Sequence, residues 1–280
     1  MNFKFYLFSI LTTIPAFFST LQAQTTSKTS CNLFHPVPAQ YMRDIETDRP
    51  DVTESPYTVD AGHIQYETDF MRHEREKGEM GEQHTNFFNK GNLKVGLTSS
   101  TALQFGFETF VWQKETAEDG EVTKGHGIGD ITFRIKQNIL GNNGGNFILA
   151  VLPYVKIPTA KYTDESKYEG GIIVPMMVKL PGEWRLAGQV EADRLYDSDA
   201  HAMHTSLLQS LTISHELVKN LDGIAETYYT YDFNAHHWSN FLNASAQLKI
   251  STNFALDAGL NYGLQTDAMK TYFMGTSFRF

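Results

Sequence analysis

From Gly62 to Phe280 the chain repeats one pattern, in which apolar side chains occupy every second position for about ten residues before a break rich in Gly, Pro, Asn, Asp or Ser. A period of two is that of a β-strand with one apolar and one polar face. The pattern predicts twelve strands, near residues 62–72, 86–97, 101–112, 128–140, 147–157, 171–180, 184–194, 205–217, 221–231, 238–250, 254–264 and 271–280. Their apolar faces carry Leu103, Phe105, Phe107 and Val111; Ile131, Phe133 and Ile135; Leu242, Ala244, Ala246, Leu248 and Ile250; Phe254, Leu256, Ala258, Leu260 and Tyr262; and Tyr272, Met274, Phe278 and Phe280. Periodicity does not separate a soluble sandwich from a membrane barrel, but the breaks do. Those after odd strands are long or polar (His73 to His84, Gln113 to His126, Pro158 to Gly170, Leu195 to His204, Asp232 to His237, Gln265 to Lys270), and those after even strands are short, with Gly141 to Asn146 the longest. Short turns on one side and long loops on the other mark an outer-membrane barrel, and spans of 9 to 11 residues suit tilted membrane strands. The expected fold is therefore all-β, a transmembrane antiparallel up-and-down barrel of about twelve strands over residues 62–280. The last strand ends in Phe280, which resembles the assembly signal of Gram-negative outer-membrane barrels and implies the barrel-assembly machinery as a partner.

Composition narrows the alternatives. A mean hydropathy of -0.33 leaves no room for a bundle of membrane helices, so the 20 Phe and 13 Tyr must be buried in a large core or sit in lipid. The net charge of -9 argues against nucleic acid, which needs a basic partner. The single cysteine, Cys31, forms no internal disulfide and no metal cluster. Residues 1–23 read as a secretory signal, with Lys4 in the charged region, an apolar stretch from Tyr6 to Phe18 and cleavage after Ala23; export to the bacterial outer membrane follows. Residues 24–61 are polar and lack a period. Arg43, Asp44, Glu46, Asp48, Arg49, Asp51 and Glu54 pack seven charges into twelve residues that also include Pro50, so this segment is unfit for lipid, helix or central strand. It is either a periplasmic leader or a plug folded into the barrel, where its charges could pair with a charged wall.

The stretch from Glu46 to Val59, Glu-Thr-Asp-Arg-Pro-Asp-Val-Thr-Glu-Ser-Pro-Tyr-Thr-Val, continuing to Gly62, Gln65 and Glu67, resembles the opening motif of outer-membrane proteins named for the MetA pathway of phenol degradation. Gly127-Ile128-Gly129-Asp130, Val155-Lys156-Ile157-Pro158-Thr159 and Glu226 fit the same family, although Ala160 stands where that family often has Gly after Pro-Thr. The resemblance implies a barrel acting as a transporter, with aromatic or other apolar compounds as candidate solutes.

Alternation places Glu67, Asp69, Lys90, Lys94, Glu108, Asp130, Arg134, Lys136, Lys156, Lys179, Arg185, Glu191, Asp193, Glu226, Lys249, Asp257 and Arg279 on the lumen side. With both signs nearly balanced, this wall is unlike a strongly ion-selective ring, and twelve strands lie between filled and open barrels; partial occlusion is expected. Glu74, Glu76, Glu79, Glu82, Glu115, Glu118, Asp119 and Glu121 gather in the outer breaks, where they are either a solvated surface or bind divalent ions that bridge lipopolysaccharide. His73, His84, His126, His201, His204, His236 and His237 also fall there; a metal site from the last four is conceivable chemically, but solvated side chains are the simpler expectation, and no cofactor is implied. An outer-membrane lipase would need a Ser and His together on the lipid face. His215 faces out, whereas Ser206, Ser210 and Ser214 face in, and neither Gly-x-Ser-x-Gly nor His-Glu-x-x-His occurs. The expected function is passage of small molecules across the outer membrane by a non-enzymatic barrel, against the alternative of a non-conducting structural or adhesin barrel.

Overall fold

Strands with one apolar face and unsatisfied edges are stable in a bilayer only when every backbone group is paired, which closure achieves. The computed structural model describes residues 30–78, 81–197 and 200–280; the expected signal at residues 1–23 and Glu79 lie outside them. Among the described residues the chain forms β1 (Ile64–Gly78), β2 (Gly81–Gly96), β3 (Thr101–Ala117), β4 (Val122–Gly127), β5 (Ile131–Leu140), β6 (Phe147–Ile157), β7 (Glu169–Lys179), β8 (Arg185–Asp197), β9 (Ala202–Val218), β10 (Leu221–Asp232), β11 (His237–Ser251), β12 (Phe254–Gly263) and β13 (Lys270–Arg279). Each pairs antiparallel with its neighbours, and β1 pairs with β13 from Gln65↔Arg279 to Arg75↔Lys270. The result is a closed barrel of twelve staves. β4 and β5 both pair with β3, at Val111–Thr116 and Thr101–Phe107 respectively, so they are one stave interrupted at Ile128-Gly129-Asp130. An ideal Cβ at Gly129 would lie 2.5 Å from Glu108 Cβ, so a side chain there would push the neighbouring stave aside.

Three expectations are corrected. First, the stretches around His73 to His84 and Gln113 to His126 are not loops: β1 pairs with β2 up to Gly78↔Gly81, and β3 continues to Ala117 against β4. Polar cross-strand pairs such as Arg75 with Glu82 and His73 with His84, rings 5.5 Å apart, sustain the ladder above the apolar belt, where apolar periodicity no longer marks a strand. Second, Val111 does not share the outer face of Leu103, Phe105 and Phe107: it is fully buried, while Phe110 and Trp112 are exposed. The cause is an irregularity at one level of three staves. Asp69 pairs with Lys90 and Met71 with Phe88, skipping Phe70 and Asn89, and the β2–β3 register then passes from Lys90↔Glu108 to Phe88↔Phe110. Such a step reverses the facing of every residue beyond it. Asn89 takes φ 56° and is pinned by the Thr68 hydroxyl donating to its Oδ1 (2.8 Å) and by its own Nδ2 donating to Thr109 Oγ1 (2.6 Å). Third, the expected seventh and eighth strands are longer at the outer end than predicted, reaching Asp197 and beginning at Ala202.

The outer surface carries the predicted apolar stripes on both sides of this level. Phe133, Ile135, Leu242, Leu248, Ile250, Leu260, Tyr262, Tyr272 and Met274 are exposed, and Tyr66, Phe107 and Phe278 pack on one another, with Tyr66 to Phe278 ring centroids 5.3 Å apart. At the end of the short turns, residues 30–45 run along the rim: Leu33 N–H donates to Leu97 O (2.8 Å), Val37 N–H to Ala61 O (3.0 Å) and Ile45 N–H to Thr252 O (2.9 Å). From there the chain turns into the ring of strands and comes back to the same rim at Asp60, four residues before β1 begins at Ile64.

Candidate functional site

The inner stripe of β5 and the turn after it show how the leader is held. Going down that stave toward the short turns, Arg134 Nη1 donates to Glu54 Oε1 (2.5 Å), Lys136 Nζ to Ser55 O (2.7 Å), Asn138 Nδ2 to Pro56 O (2.9 Å) and Asn142 Nδ2 to Thr58 Oγ1 (2.7 Å). Inward residues two apart on a strand meet successive residues of an extended segment, through backbone carbonyls at Ser55 and Pro56 and side chains at Glu54 and Thr58, so the wall is a template for the leader. Asp48 sits between Lys136 (2.5 Å) and Lys94. Burial would raise its carboxyl, but the two ammonium groups win and hold it well below the usual range. Lys94 also binds Glu67, which accepts the Asp48 N–H at 3.1 Å.

Arg49 reaches the opposite staves. Its Nη1 donates to Asp69 Oδ1 (2.6 Å) on β1, and Nη2 and Nε donate to the two oxygens of Asp257 on β12 (2.6 and 3.1 Å). The guanidinium lies 5.7 Å from the Phe273 ring centroid, a placement that adds cation–π attraction. On β10, Glu226 accepts from the backbone N–H of Val52 (2.9 Å) and Thr53 (2.8 Å) and from the Thr53 hydroxyl (2.6 Å). Val52 packs against the stacked rings of Tyr228 and Phe241. Asp51, half-buried, stands by Glu226; burial first, and that carboxylate second, push it well above the usual range. Nearer the rim, Arg43 binds Asp60 (3.2 Å) and the Asn142 carbonyl (2.6 Å), and Arg279 binds Asp60 (3.2 Å) and the Arg43 carbonyl (2.5 Å). Of the seven leader charges, Asp44 is exposed and Glu46 is engaged through its backbone carbonyl by Gln65 Nε2 (2.8 Å).

The remaining wall residues pair mostly among themselves. Lys90 meets Glu108 (2.9 Å); Lys156 meets Asp130 (3.2 Å) and Glu169 (2.8 Å); Arg185 and Lys249 share Asp222. Glu191 accepts from Gln189 Nε2 (2.9 Å), Asp193 from the Tyr154 hydroxyl (2.7 Å), and Lys179 lies 5.4 Å from the Tyr57 ring centroid. Asp222 follows the inward parity of Glu226 and was available to alternation. Arg72 was not, because the step at Phe70 conceals it. Thr53 and Asn142 carry no charge pattern that would single them out.

Two of the motif stretches meet at the interrupted stave. Asp130 Oδ1 accepts the N–H groups of Thr159 and Ala160 (both 2.9 Å), its Oδ2 the Ser166 hydroxyl (2.6 Å), and the Ile128 carbonyl the Lys161 N–H (2.8 Å). The loop after β6 is thereby stitched across the gap. Only an N–H is required at residue 160, so alanine serves there.

Above the leader a cavity of about 480 Å³ remains, lined among others by Arg49, Glu54, Arg72, Phe87, Lys90, Phe107, Glu108, Arg134, Lys156 and Tyr162. Among the described residues no group of three or more His, Cys, Asp or Glu side chains is placed to hold a metal ion. His204 pairs with Asp232 (2.7 Å), His237 with Asp267 (3.4 Å), and His201 and His236 contact Tyr196 and Tyr231. His215 packs on Trp184 and contacts the Gly182 carbonyl, whereas Ser210 contacts Thr53 inside the barrel.

The fold is similar to that of an outer membrane channel from Pseudomonas putida F1, at TM-score 0.60 and 14% identity, over 84% of this chain and 100% of that one. It is also similar to the translocator domain of the autotransporter NalP from Neisseria meningitidis, at TM-score 0.52 and 13% identity, over 78% and 88%. No curated protein matches the chain by sequence. The opening motif from Thr47 onward, the Asp130 bracket and Glu226 all fall within residues 47–280, which match the model of one family, and the chain belongs to that family, described as "Putative MetA-pathway of phenol degradation".

Proposed function

We propose that the protein is an outer-membrane barrel through which small molecules pass, with residues 45–60 as a plug that sets the constriction and the cavity above it as the vestibule. The observation that carries this reading is the spread of the leader's partners: Asp69, Lys94, Lys136, Gln189, Glu226 and Asp257 lie on six staves around the ring, a distribution available only to a segment inside it. The lining of both signs argues for solutes with little net charge. Phe87 and Tyr162 beside Arg134 and Lys156 would suit an aromatic ring bearing a polar group, in keeping with the family's description. Export through a cleaved signal at residues 1–23, delivery by the barrel-assembly machinery through the terminal Phe280, and the absence of catalysis belong to the same reading.

Single-channel conductance in planar bilayers tests it. Deleting residues 24–58 should give larger, steadier openings. Unchanged conductance would count decisively against the plug. A barrel silent in both forms would favour a structural or adhesin role. Uptake of phenolics by a deletion strain and its parent addresses the solute.

A further inference from the structure

Outside the lumen, the register brings cations together at the outer rim. Beyond the step at Phe70, the inward residues of β1 are Arg72 and Glu74, which leaves His73, Arg75 and Lys77 on the outer face. Lys270 is the cross-strand partner of Arg75 and shares the outward parity of Tyr272 and Met274, both exposed. A groove of about 260 Å³ separates the rising β1 from the β12–β13 connection and is lined by Arg75, Lys77, Tyr262, Gln265, Thr266 and Lys270. The Lys270 ammonium lies 4.6 Å from the Tyr262 ring centroid. Among the described residues two carboxylates are near. Glu82 holds Arg75 through its Nε and faces Lys77 across the strands, and Asp267 is turned to His237. The groove thus keeps a net positive charge, with the terminal guanidinium nitrogens of Arg75 and the two ammonium groups unclaimed by any carboxylate bond among the described contacts.

Height decides what such a groove meets. Arg75 and Lys270 stand two residues, roughly 7 Å, above His73 and Tyr272, and Tyr262 and Tyr272 belong to the exposed aromatic and apolar belt. Aromatic side chains mark the membrane–water interface, so the cations lie at the level of the lipid headgroups on the long-loop side. We infer that this groove binds a phosphorylated lipid headgroup of the outer leaflet, its phosphate held by Arg75, Lys77 and Lys270 and its sugar or acyl stem resting on Tyr262. The assignment rests on the outer-membrane reading but not on conduction.

The full chain, folded in detergent, would be titrated with lipid A carrying its phosphates, with dephosphorylated lipid A, and with inorganic phosphate as competitor. Heat-modifiable gel mobility establishes that each variant is folded, and bilayer conductance reports on the lumen separately. Tight binding of the phosphorylated form is expected, weakened about fivefold by each of Arg75→Gln, Lys77→Gln and Lys270→Gln. Lys114→Gln with Lys124→Gln, on the β3–β4 hairpin, should leave it unchanged. Equal binding of the dephosphorylated lipid, or a triple variant that binds as well as the native chain, would overturn the inference. Competition by inorganic phosphate at millimolar concentration would overturn the assignment to a lipid.

Discussion

Replacing Arg49 by Met removes the one leader cation that bridges β1 and β12. Three charge-assisted hydrogen bonds would be lost: Asp257, 0% exposed, would be left without its cation, and Asp69, 4% exposed, would keep only Arg72 at 3.8 Å. Removing one partner of a buried ion pair costs about 3–5 kcal/mol, because the surviving charge stays desolvated. The undocked leader regains water around Asp69 and Asp257, so the whole of that cost falls on the docked state. At about 1.4 kcal/mol per tenfold, the ratio of docked to undocked leader should fall by about two to three and a half orders of magnitude. Single-channel recordings should then resemble those of the chain lacking residues 24–58, and limited proteolysis from the short-turn side should cut within residues 45–60. Arg49→Lys, which keeps the charge but not the fork, should fall between. Joint replacement of Arg49, Asp69 and Asp257 by Met, Asn and Asn should recover much of the docking, since a neutral set leaves no stranded charge. If Arg49→Met gives native conductance and a native cleavage pattern while remaining folded, the ionic lock does not hold the leader.

Acidity provides a second handle. Asp51 is raised in the docked state, so its proton favours docking; the contribution is full below the ordinary aspartate range, near 3.9, and is lost as pH rises from there through the raised value. Protection of residues 45–60 from protease should decline with rising pH, and Asp51→Asn should flatten that slope; equal slopes would refute the assignment. Phe280 is 72% exposed and ties into the barrel through its backbone N–H to Ile64 O (2.8 Å). Phe280→Ala should therefore cost the refolded barrel under about 1 kcal/mol while sharply reducing the folded fraction in cells, measured by heat-modifiable mobility. Asp130→Ala should free the loop after β6, exposing residues 158–168 to protease without loss of the barrel, because four hydrogen bonds and ion pairs of that loop and stave end on this one carboxylate.

The stave pattern was legible because each strand states its own facing. Leu242, Leu248 and Ile250 out, with Asn243 and Gln247 in, needs no knowledge of any neighbour. Val111 was misread because its facing depends on Asn89 in another strand and on a step that local periodicity does not encode. The outer halves of β1 to β3 were read as loops because Glu74, Arg75, Glu76 and Lys77 carry no apolar period, although hydrogen bonding across the hairpin continues. In the leader, charge density and prolines excluded lipid and helix, but the partners stay hidden in a linear reading: Asp48 finds Lys136 and Arg49 finds Asp257 only after the ring closes. Glu226 and Asp130 were visible as motif residues, and their roles as acceptors for Val52 and Thr53, and for Thr159 and Ala160, come from the fold.

The leader goes into the barrel and returns to the side from which it came. A chain arranged as a bight, with both limbs on one rim, is not threaded: it can be drawn out without either limb crossing the barrel. Its stem between Leu33 and Ile45 is fastened to the rim by backbone bonds to Leu97, Ala61 and Thr252 and by Arg43 with Asp60 and Arg279, and Phe34 is 85% exposed. Tension applied there would load those rim contacts one after another and reach Arg49 last, so under the proposed plug reading the stem would serve as a pull-cord.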